Sequence, residues 1–398
     1  MSRYLADRMS KLGTETAFAV GAEAAEMASK GIKVYPFHLG DLNIPTPRHI
    51  REAALKALED GKTGYCPTPG IAPLREALAE DVGKARGLNL GAANVSVQPG
   101  GKPVIGKFIM AFMNPGDEVL YPNPGFPIYE SMIRFHGGVP KPYGFIEVED
   151  GFALDFEAIE KQITPKTKLL IYNNYHNPTS ASSDEAEMQR LAELCLKHDL
   201  LVLSDEAYFD ILYSGEGKSI ASIPGMFERT IILYTFSKKF AMTGWRLGAA
   251  IGPEDLISHI SRFNVNDESC TAHFVQWAGV AALKGPMDEF YSMMETLRER
   301  RDVAVDLLNS MKGVRVSRPN STFYLFANVT EAMDNLGMKT VEEFRKKILD
   351  ETGVSFTTRN HFGSPLPDEK QYYIRLAYSG ISVEDIREGL SKMKELLG

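Results

Sequence analysis

The chain has 398 residues, 44% of them hydrophobic, a length that suits roughly two to three domains around a large core. Its net charge of -8, with acids and bases interspersed, argues against nucleic-acid binding. The first residues lack the apolar core of a signal peptide, and no stretch is long enough to span a membrane, so we expect a cytoplasmic protein with no membrane contact. Three widely spaced cysteines, Cys66, Cys195 and Cys270, show no disulfide pattern and favour a reducing compartment.

The hydrophobic pattern predicts an α/β fold. A helical segment at about 15–30 and an extended piece through Pro36 come first. From Arg48 to roughly Gly285, strand and helix signals alternate, as expected for a mostly parallel central sheet flanked by helices on both faces. We therefore predict a large domain over 48–285.

The rest of the chain predicts a smaller α+β unit. A long helix at 286–311 is followed by strands at 314–316, 322–329 and 372–377 and by helices at about 341–351 and after Val383. The segment 358–369 is the longest irregular stretch near the residues discussed next.

Polar side chains follow three buried-strand signals of the large domain. The run 200–204 ends in Asp205, the run 169–172 leads into Asn177, and the run 231–234 precedes Lys238. Ligands of open α/β sheets bind outside the carboxyl ends of the strands, so these ends are expected to converge on one site. A single aspartate at a strand end is usually a turn former, but three such ends together favour a ligand site.

Lys238 stands eight residues before Arg246, and this pair suits an aldehyde cofactor that carries a phosphate. A lysine amine condenses with an aldehyde as a Schiff base, and a guanidinium binds phosphate with paired hydrogen bonds. Pyridoxal 5'-phosphate (PLP) has both groups. Taken alone, the segment also fits the start of a surface helix with solvated lysines.

A second phosphate signal lies at Gly100 and Gly101, which precede an apolar helical run to Phe112 and direct backbone N–H groups at an anion. The segment 101–107 has P-loop spacing, but Phe108 stands where a Ser or Thr must hold Mg²⁺, so an NTPase is excluded. Dinucleotide, zinc and serine hydrolase motifs are lacking, and we predict no metal site.

Short motifs spread over most of the chain match one enzyme family. They are Gly64-Tyr65, Gly70, Leu74-Arg75, Pro99-Gly100-Gly101-Lys102, the run YPNPGFPIY from Tyr121 to Tyr129, Asn177-Pro178-Thr179, Asp205-Glu206-Ala207-Tyr208, Ser237-Lys238, GWRLG from Gly244 to Gly248, and Ile374-Arg375-Leu376. The chain thereby resembles a class I aminotransferase of PLP fold type I, in the aspartate aminotransferase superfamily. Jointly the motifs are specific, whereas each alone is weak.

The resemblance implies catalytic roles for Lys238, Asp205 and Tyr208. Lys238 holds the cofactor and shuttles the substrate proton, while Asp205 keeps the pyridine nitrogen protonated. Asn177 and Tyr208 bond the phenolic oxygen of the ring, and Phe126 stacks on it, although a core position also fits Phe126. The implied contacts to the phosphate are Gly100, Gly101, Lys102, Thr235, Ser237, Arg246 and, from the neighbouring subunit, Tyr65.

The resemblance also implies how substrate and subunits are arranged. Arg375 and Asn177 bind the substrate α-carboxylate with help from the backbone N–H of Gly40, although a surface arginine also fits Arg375. Tyr65 implies a homodimer with composite active sites; the alternative is that Tyr65 is simply an aromatic residue of a turn. Residues 1–47 would join 286–398 in a small domain that closes the site.

Several residues depart from the family pattern or stay ambiguous. The segment 42–47 reads LNIPTP, Ser180 replaces a common glycine, and Lys239 directly follows Lys238. Lys239 either lowers the pKa of its neighbour or points to solvent. For Cys66, a small buried thiol is favoured over a site residue.

The predicted activity is transfer of the α-amino group of an L-amino acid to a 2-oxo acid: aspartate, favoured by family frequency, or a related amino acid, with 2-oxoglutarate. The alternative is another fold type I PLP reaction, as in a C–S lyase, decarboxylase or oxidase. A regulator with an aminotransferase-like domain is disfavoured, because the roughly forty residues before the large domain are not basic.

Overall fold

The computed structural model describes residues 4–367 and 369–398. The α-helices are α1 (Ala17–Ser29), α2 (Arg48–Glu59), α3 (Ala72–Arg86), α4 (Lys102–Phe112), α5 (Ile128–Phe135), α6 (Phe156–Gln162), α7 (Glu185–Lys197), α8 (Phe236–Lys239), α9 (Glu254–Asn266), α10 (His273–Lys284), α11 (Asp288–Asn309), α12 (Thr330–Asn335), α13 (Val341–Thr352) and α14 (Val383–Leu397). The strands are β1 (Tyr35–Pro36), β2 (Val95–Gln98), β3 (Glu118–Pro122), β4 (Val139–Tyr143), β5 (Phe145–Val148), β6 (Gly151–Leu154), β7 (Thr167–Tyr172), β8 (Leu201–Asp205), β9 (Thr230–Thr235), β10 (Gly248–Ile251), β11 (Tyr324–Asn328), β12 (Val354–Ser355), β13 (Thr357–Thr358) and β14 (Tyr373–Ala377).

A seven-stranded sheet in the order β2-β10-β9-β8-β7-β3-β4 forms the centre of the molecule. Neighbouring strands pair in parallel, except that β10 is antiparallel to both β2 and β9. The α/β fold with a mostly parallel central sheet is therefore confirmed.

Both faces of this sheet are covered because successive strand residues point to opposite sides. In β7, Leu169 and Ile171 pack with Phe108 of α4, whereas Leu170 and Tyr172 join the cluster formed by α6 and α7. Burial on both faces explains why these strands are continuously apolar in the sequence. It also fixes their polar ends at one edge of the sheet.

The second part is built on the antiparallel sheet β11-β14-β13, with β1 paired in parallel to β12. Its apolar cluster joins residues of α11, α13 and α14 to Tyr35 of β1 and also includes Tyr208, so packing continues across the predicted boundary. The division into 48–285 and 1–47 with 286–398 stays a prediction. The strand predicted at 314–316 was wrong, since Arg315 forms a single bridge with Asn328.

The strand registers set up the site. Tyr172 of β7 is paired with Ser204 of β8, and Asp205 of β8 with Leu233 of β9, so these strands end side by side. The segments that follow them therefore share one edge of the sheet. In the described part of the chain, no helix has the length and apolar character needed to cross a membrane.

Candidate active site

A cavity of about 590 Å³ lies at the carboxyl ends of β7, β8 and β9 and is bounded opposite by β14 and the segment before α2. It brings together most of the predicted site residues, namely Gly40, Gly101, Lys102, Phe126, Asn177, Asp205, Tyr208, Thr235, Ser237, Lys238, Arg246 and Arg375. Gly100 and Tyr65 are not among its lining residues. A volume of this size suits a cofactor together with a small substrate.

Lys238 lies in the short helix α8 that follows β9, and its side chain lines the cavity. The amine Nζ donates a hydrogen bond of 2.9 Å to the carbonyl oxygen of Gly40. Burial lowers the pKa of Lys238 to about 8. The carboxylate of Asp41 opposes this shift, whereas Arg375 and Arg246 add to it. A neutral amine near physiological pH is what attack on an aldehyde requires.

This lowered pKa predicts the reactivity of the cofactor-free protein. Because the depressed pKa leaves the amine neutral above about pH 8, acylation of Lys238 should have its midpoint near pH 8 instead of 10.5. Competitive labelling with acetic anhydride over a pH series, read by peptide mass spectrometry, measures this midpoint, with exposed Lys312 as the internal reference. A midpoint above about pH 9.5 would contradict the expectation.

Asp205 ends β8 and is 6% exposed. The hydroxyl of Tyr129 donates to its Oδ2 at 2.6 Å, and the backbone N–H of Ala207 donates to its Oδ1 at 3.2 Å. Burial nevertheless raises the pKa of Asp205 from 3.8 to about 6. A raised pKa means that the cofactor-free fold loses stability as the pH rises through about 6, since a charge must then be kept in the interior. A cationic partner would remove this penalty.

The lining of the cavity around Asp205 includes Asn177, Tyr208 and Phe126. Asn177 Oδ1 accepts a hydrogen bond of 3.0 Å from Arg375, and the hydroxyl of Tyr208 shares one of 2.6 Å with Tyr324. Phe126 meets Tyr129 edge to face, with ring centroids 5.8 Å apart. Polar groups and an aromatic face therefore surround one space, as a planar heterocycle needs.

The turn between β2 and α4 closely approaches Arg246. A Cβ atom on Gly100 would lie 2.0 Å from Arg246 Nη2, and Gly100 has a φ of +105°, so this position needs glycine. The first N–H groups of α4 lack partners within the helix. Nearby, Thr235 Oγ1 donates to Ser237 Oγ at 2.9 Å. Guanidinium, hydroxyl and helix N-terminal donors together suit a phosphate.

Arg375 of β14 is the most enclosed cation of the cavity, at 4% exposure. Its Nη2 donates to the carbonyl oxygen of His38 at 2.8 Å, and its guanidinium lies 4.5 Å from the centroid of the Tyr324 ring. Its Nε has no hydrogen-bond partner in the part of the chain that the structure describes. A buried guanidinium with an unpaired donor suits a carboxylate ligand.

Gly40 makes a contact that the sequence analysis did not predict. Its carbonyl oxygen accepts the bond from Lys238, and the contact between its N–H and a carboxylate stays a prediction. A Cβ atom here would lie 2.2 Å from the Tyr324 hydroxyl, so the close approach of these two segments needs glycine.

Tyr65 and Cys66 lie away from the cavity. Tyr65 is 90% exposed. Cys66 is half-buried, donates to the carbonyl oxygen of Thr271 at 3.6 Å and accepts from Gln276 at 3.1 Å. Burial raises the pKa of Cys66 to about 11, and Cys270 adds to this shift. A packed, weakly reactive thiol fits these contacts.

Two of the departures from the family pattern, Ser180 and Lys239, have local explanations. Ser180 has a φ of +59°, and its hydroxyl contacts Thr322 at 2.6 Å and the carbonyl oxygen of Tyr324 at 2.9 Å, which joins this loop to β11. Lys239 is 11% exposed and pairs with Asp210 at 2.9 Å. Lys239 therefore points to Asp210 and not to solvent, and it is not among the largest causes of the lowered pKa of Lys238.

Other lining residues were missed by the sequence analysis, among them Glu15, His38, Tyr129, Tyr324 and His361. Tyr129 closes the YPNPGFPIY run, so its motif could have marked it. The remaining four carry no local signal, because they reach the cavity only through contacts between distant segments.

PLP fits the residues present. The cavity holds an amine for the aldehyde, a buried carboxylate for the ring nitrogen and a set of phosphate donors, all described above. No group of three or more His, Cys, Asp or Glu side chains placed to hold a metal ion occurs within residues 4–367 and 369–398. Fold and site together define a PLP-dependent enzyme of fold type I.

Comparison with known proteins gives the family. The model of the family "Aminotransferase class I and II" matches residues 33–393. The probable aspartate/prephenate aminotransferase of Aquifex aeolicus is 34% identical over 100% of this chain and 99% of its own. Among solved structures, the aspartate aminotransferase of Rhizobium meliloti has a TM-score of 0.91 at 30% identity and covers 99% of this chain and 98% of its own. An alanine aminotransferase from Pyrococcus furiosus has a TM-score of 0.90 at 28% identity, with 99% of each chain covered.

The chain belongs to the class I and II aminotransferases. It is a PLP-dependent amino-acid aminotransferase. The resemblance, the cofactor and the activity predicted from the sequence are confirmed, and the lyase, decarboxylase and oxidase alternatives are not favoured.

Proposed function

We propose that Lys238 carries the cofactor and that Arg375, with Asn177, binds the α-carboxylate of an L-amino acid whose amino group passes to a 2-oxo acid. The observation that carries this proposal is the buried amine of Lys238, which shares one cavity with Asp205 and Arg375. The proposed phosphate site comprises Gly100, Gly101, the backbone N–H of Lys102, Thr235, Ser237 and Arg246. A cytoplasmic location is proposed on the sequence grounds alone.

When bound, PLP supplies an electron sink for the carbanion left after the substrate Cα loses its proton. Arg375 fixes the carboxylate and so directs the Cα–H bond toward Lys238. The neutral amine of Lys238 would take up the Cα proton and hold it for return to the bound cofactor. Asp205 would keep the ring nitrogen protonated, Asn177 and Tyr208 would bind the phenolic oxygen, and Phe126 would pack against the ring.

A spectral screen of amino acids against the purified PLP form tests this proposal. Conversion to the pyridoxamine 5'-phosphate form, followed by its reversal with 2-oxoglutarate, oxaloacetate or pyruvate, is the expected result. We propose aspartate with 2-oxoglutarate as the first pair, because several relatives are named aspartate aminotransferase. Release of ammonia, sulfide, carbon dioxide or peroxide without the pyridoxamine form would overturn the proposal.

We also propose a homodimer in which Tyr65 of each subunit contacts the phosphate bound by the other. Two observations support it. Tyr65 is 90% exposed, although it belongs to a motif matched to a phosphate contact. It also lies outside the lining of its own cavity. The exposed side chain is therefore free to reach the phosphate site of a partner subunit.

Subunit mixing tests the composite site. Lys238→Ala and Tyr65→Phe homodimers should each have low activity, whereas mixed dimers should regain activity, because one of their two sites contains both native side chains. Denaturing and refolding the variants together, followed by an aspartate assay, measures this gain. Mixtures no more active than the separate variants, or a fully active monomer in sedimentation, would contradict the composite site.

A further inference from the structure

Two opposite charges at the mouth of the cavity have no role in the mechanism above. Glu15, which precedes α1, forms an ion pair with the ammonium of Lys102 at the start of α4, and both line the cavity. The Glu15 side chain is 18% exposed and that of Lys102 is 47% exposed. The ammonium also lies 5.4 Å from the centroid of the Phe126 ring, the proposed wall of the ring site.

The other charged groups of the cavity are already engaged. Arg246, Arg375 and Lys238 serve phosphate, α-carboxylate and proton transfer in the proposed function. Asp41 accepts a hydrogen bond of 2.7 Å from the Thr243 hydroxyl. Among the lining residues that the structure describes, the ammonium of Lys102 is thus the cation left for a substrate side chain, and Glu15 neutralises it.

Glu15 also shares the cavity with the two proposed substrate anchors, Lys238 and Arg375. Its negative charge acts to raise the pKa of Lys238, of Arg375 and of the Tyr324 hydroxyl, which line the same space. An amino acid bound at both anchors projects its side chain into this space. The neighbouring walls are apolar, including Phe18 and Leu39.

We propose that Glu15 is a specificity-determining residue, which competes with the carboxylate of a dicarboxylic substrate for the ammonium of Lys102. With an uncharged side chain the ion pair stays closed, and the substrate meets a wall without net charge. A dicarboxylic substrate must separate the pair and approach the Glu15 carboxylate. Glu15 thereby reduces the advantage of dicarboxylic over neutral amino acids, an inference that rests on the proposed function.

The test compares Glu15→Gln with wild-type holoenzyme in half-reactions with L-aspartate and L-alanine. The variant should raise kcat/KM for aspartate by about three- to fivefold, the scale of a partly exposed ion pair, and change that for alanine by less than about 1.5-fold. Binding of maleate, an unreactive dicarboxylate, measured by calorimetry, should tighten by a similar factor. Glu26→Gln, which breaks an exposed ion pair with Lys30 on α1, is the matched control. It should change neither kcat/KM value nor the affinity for maleate.

A double variant separates competition from structural damage. In a Lys102→Met background, Glu15→Gln should change the aspartate-to-alanine ratio and the affinity for maleate less than it does with Lys102 present, because the ammonium for which the two carboxylates compete is gone and only their repulsion remains. Equal shifts for both substrates, or an undiminished effect without Lys102, would overturn the role of Glu15. Glu15→Ser repeats the test should the glutamine variant fold poorly. Absence of transamination in the wild type would overturn the proposed function, and the maleate titration would still decide the role of Glu15.

Discussion

Replacing Lys238 by alanine should lower transamination by at least about ten-thousandfold, because proton transfer to and from Cα loses its acid and base. The fold should persist, since within the described residues the amine donates one hydrogen bond, to the carbonyl oxygen of Gly40, and lines an open cavity. Borohydride reduction of the wild-type holoenzyme should place the pyridoxyl group on Lys238. Steady-state kinetics and peptide mass spectrometry measure the two results.

Lys239→Arg is the matched control, because it changes the adjacent lysine and keeps the charge that pairs with Asp210. It should retain the cofactor and most of the activity. A pyridoxyl adduct on Lys239, or a Lys238→Ala enzyme of near-normal rate, would contradict the assignment. The structure gives the physical reason for the difference: one lysine faces the cavity and the other an aspartate.

The parts of the fold that follow from local pattern were predictable. The strand ends at Asp205 and Thr235, the start of α4 after Gly101 and the position of Arg375 in β14 all follow from apolar runs that stop at polar or glycine residues. Such runs report whether each strand face is buried, and the rule for open α/β sheets then places the strand ends together.

Contacts between distant segments were not predictable. Gly40 and Lys238 are 198 residues apart, Tyr208 and Tyr324 are 116 apart, and Glu15 is 87 residues from Lys102. Periodicity describes the surroundings of one segment and carries no information about which other segment packs against it. The partner of the Lys238 amine and the ion pair at the cavity mouth therefore required the structure.

Asp205→Asn should leave PLP bound but lower turnover by at least about a hundredfold, roughly 3 kcal/mol of lost carbanion stabilisation. The amide is nearly the same size, and it can still bond the hydroxyl of Tyr129 and the N–H of Ala207, so the loss should come from the missing negative charge. Absorbance of the bound cofactor and steady-state kinetics measure the two quantities. Asp199→Asn, which removes a surface carboxylate paired with Arg229, is the control and should be nearly as active as the wild type.

The cofactor-free forms distinguish a charge effect from damage to the fold. In the wild type, burial holds the pKa of Asp205 at about 6, so the folded state must keep a buried negative charge above that pH. The asparagine variant carries no such charge. Its free energy of unfolding should therefore match that of the wild type near pH 4 and exceed it at pH 8, because the wild type loses stability as the pH rises through about 6. A variant less stable than the wild type at pH 8, or one with near-normal turnover, would show that the carboxylate of Asp205 does not act through its charge on the ring nitrogen.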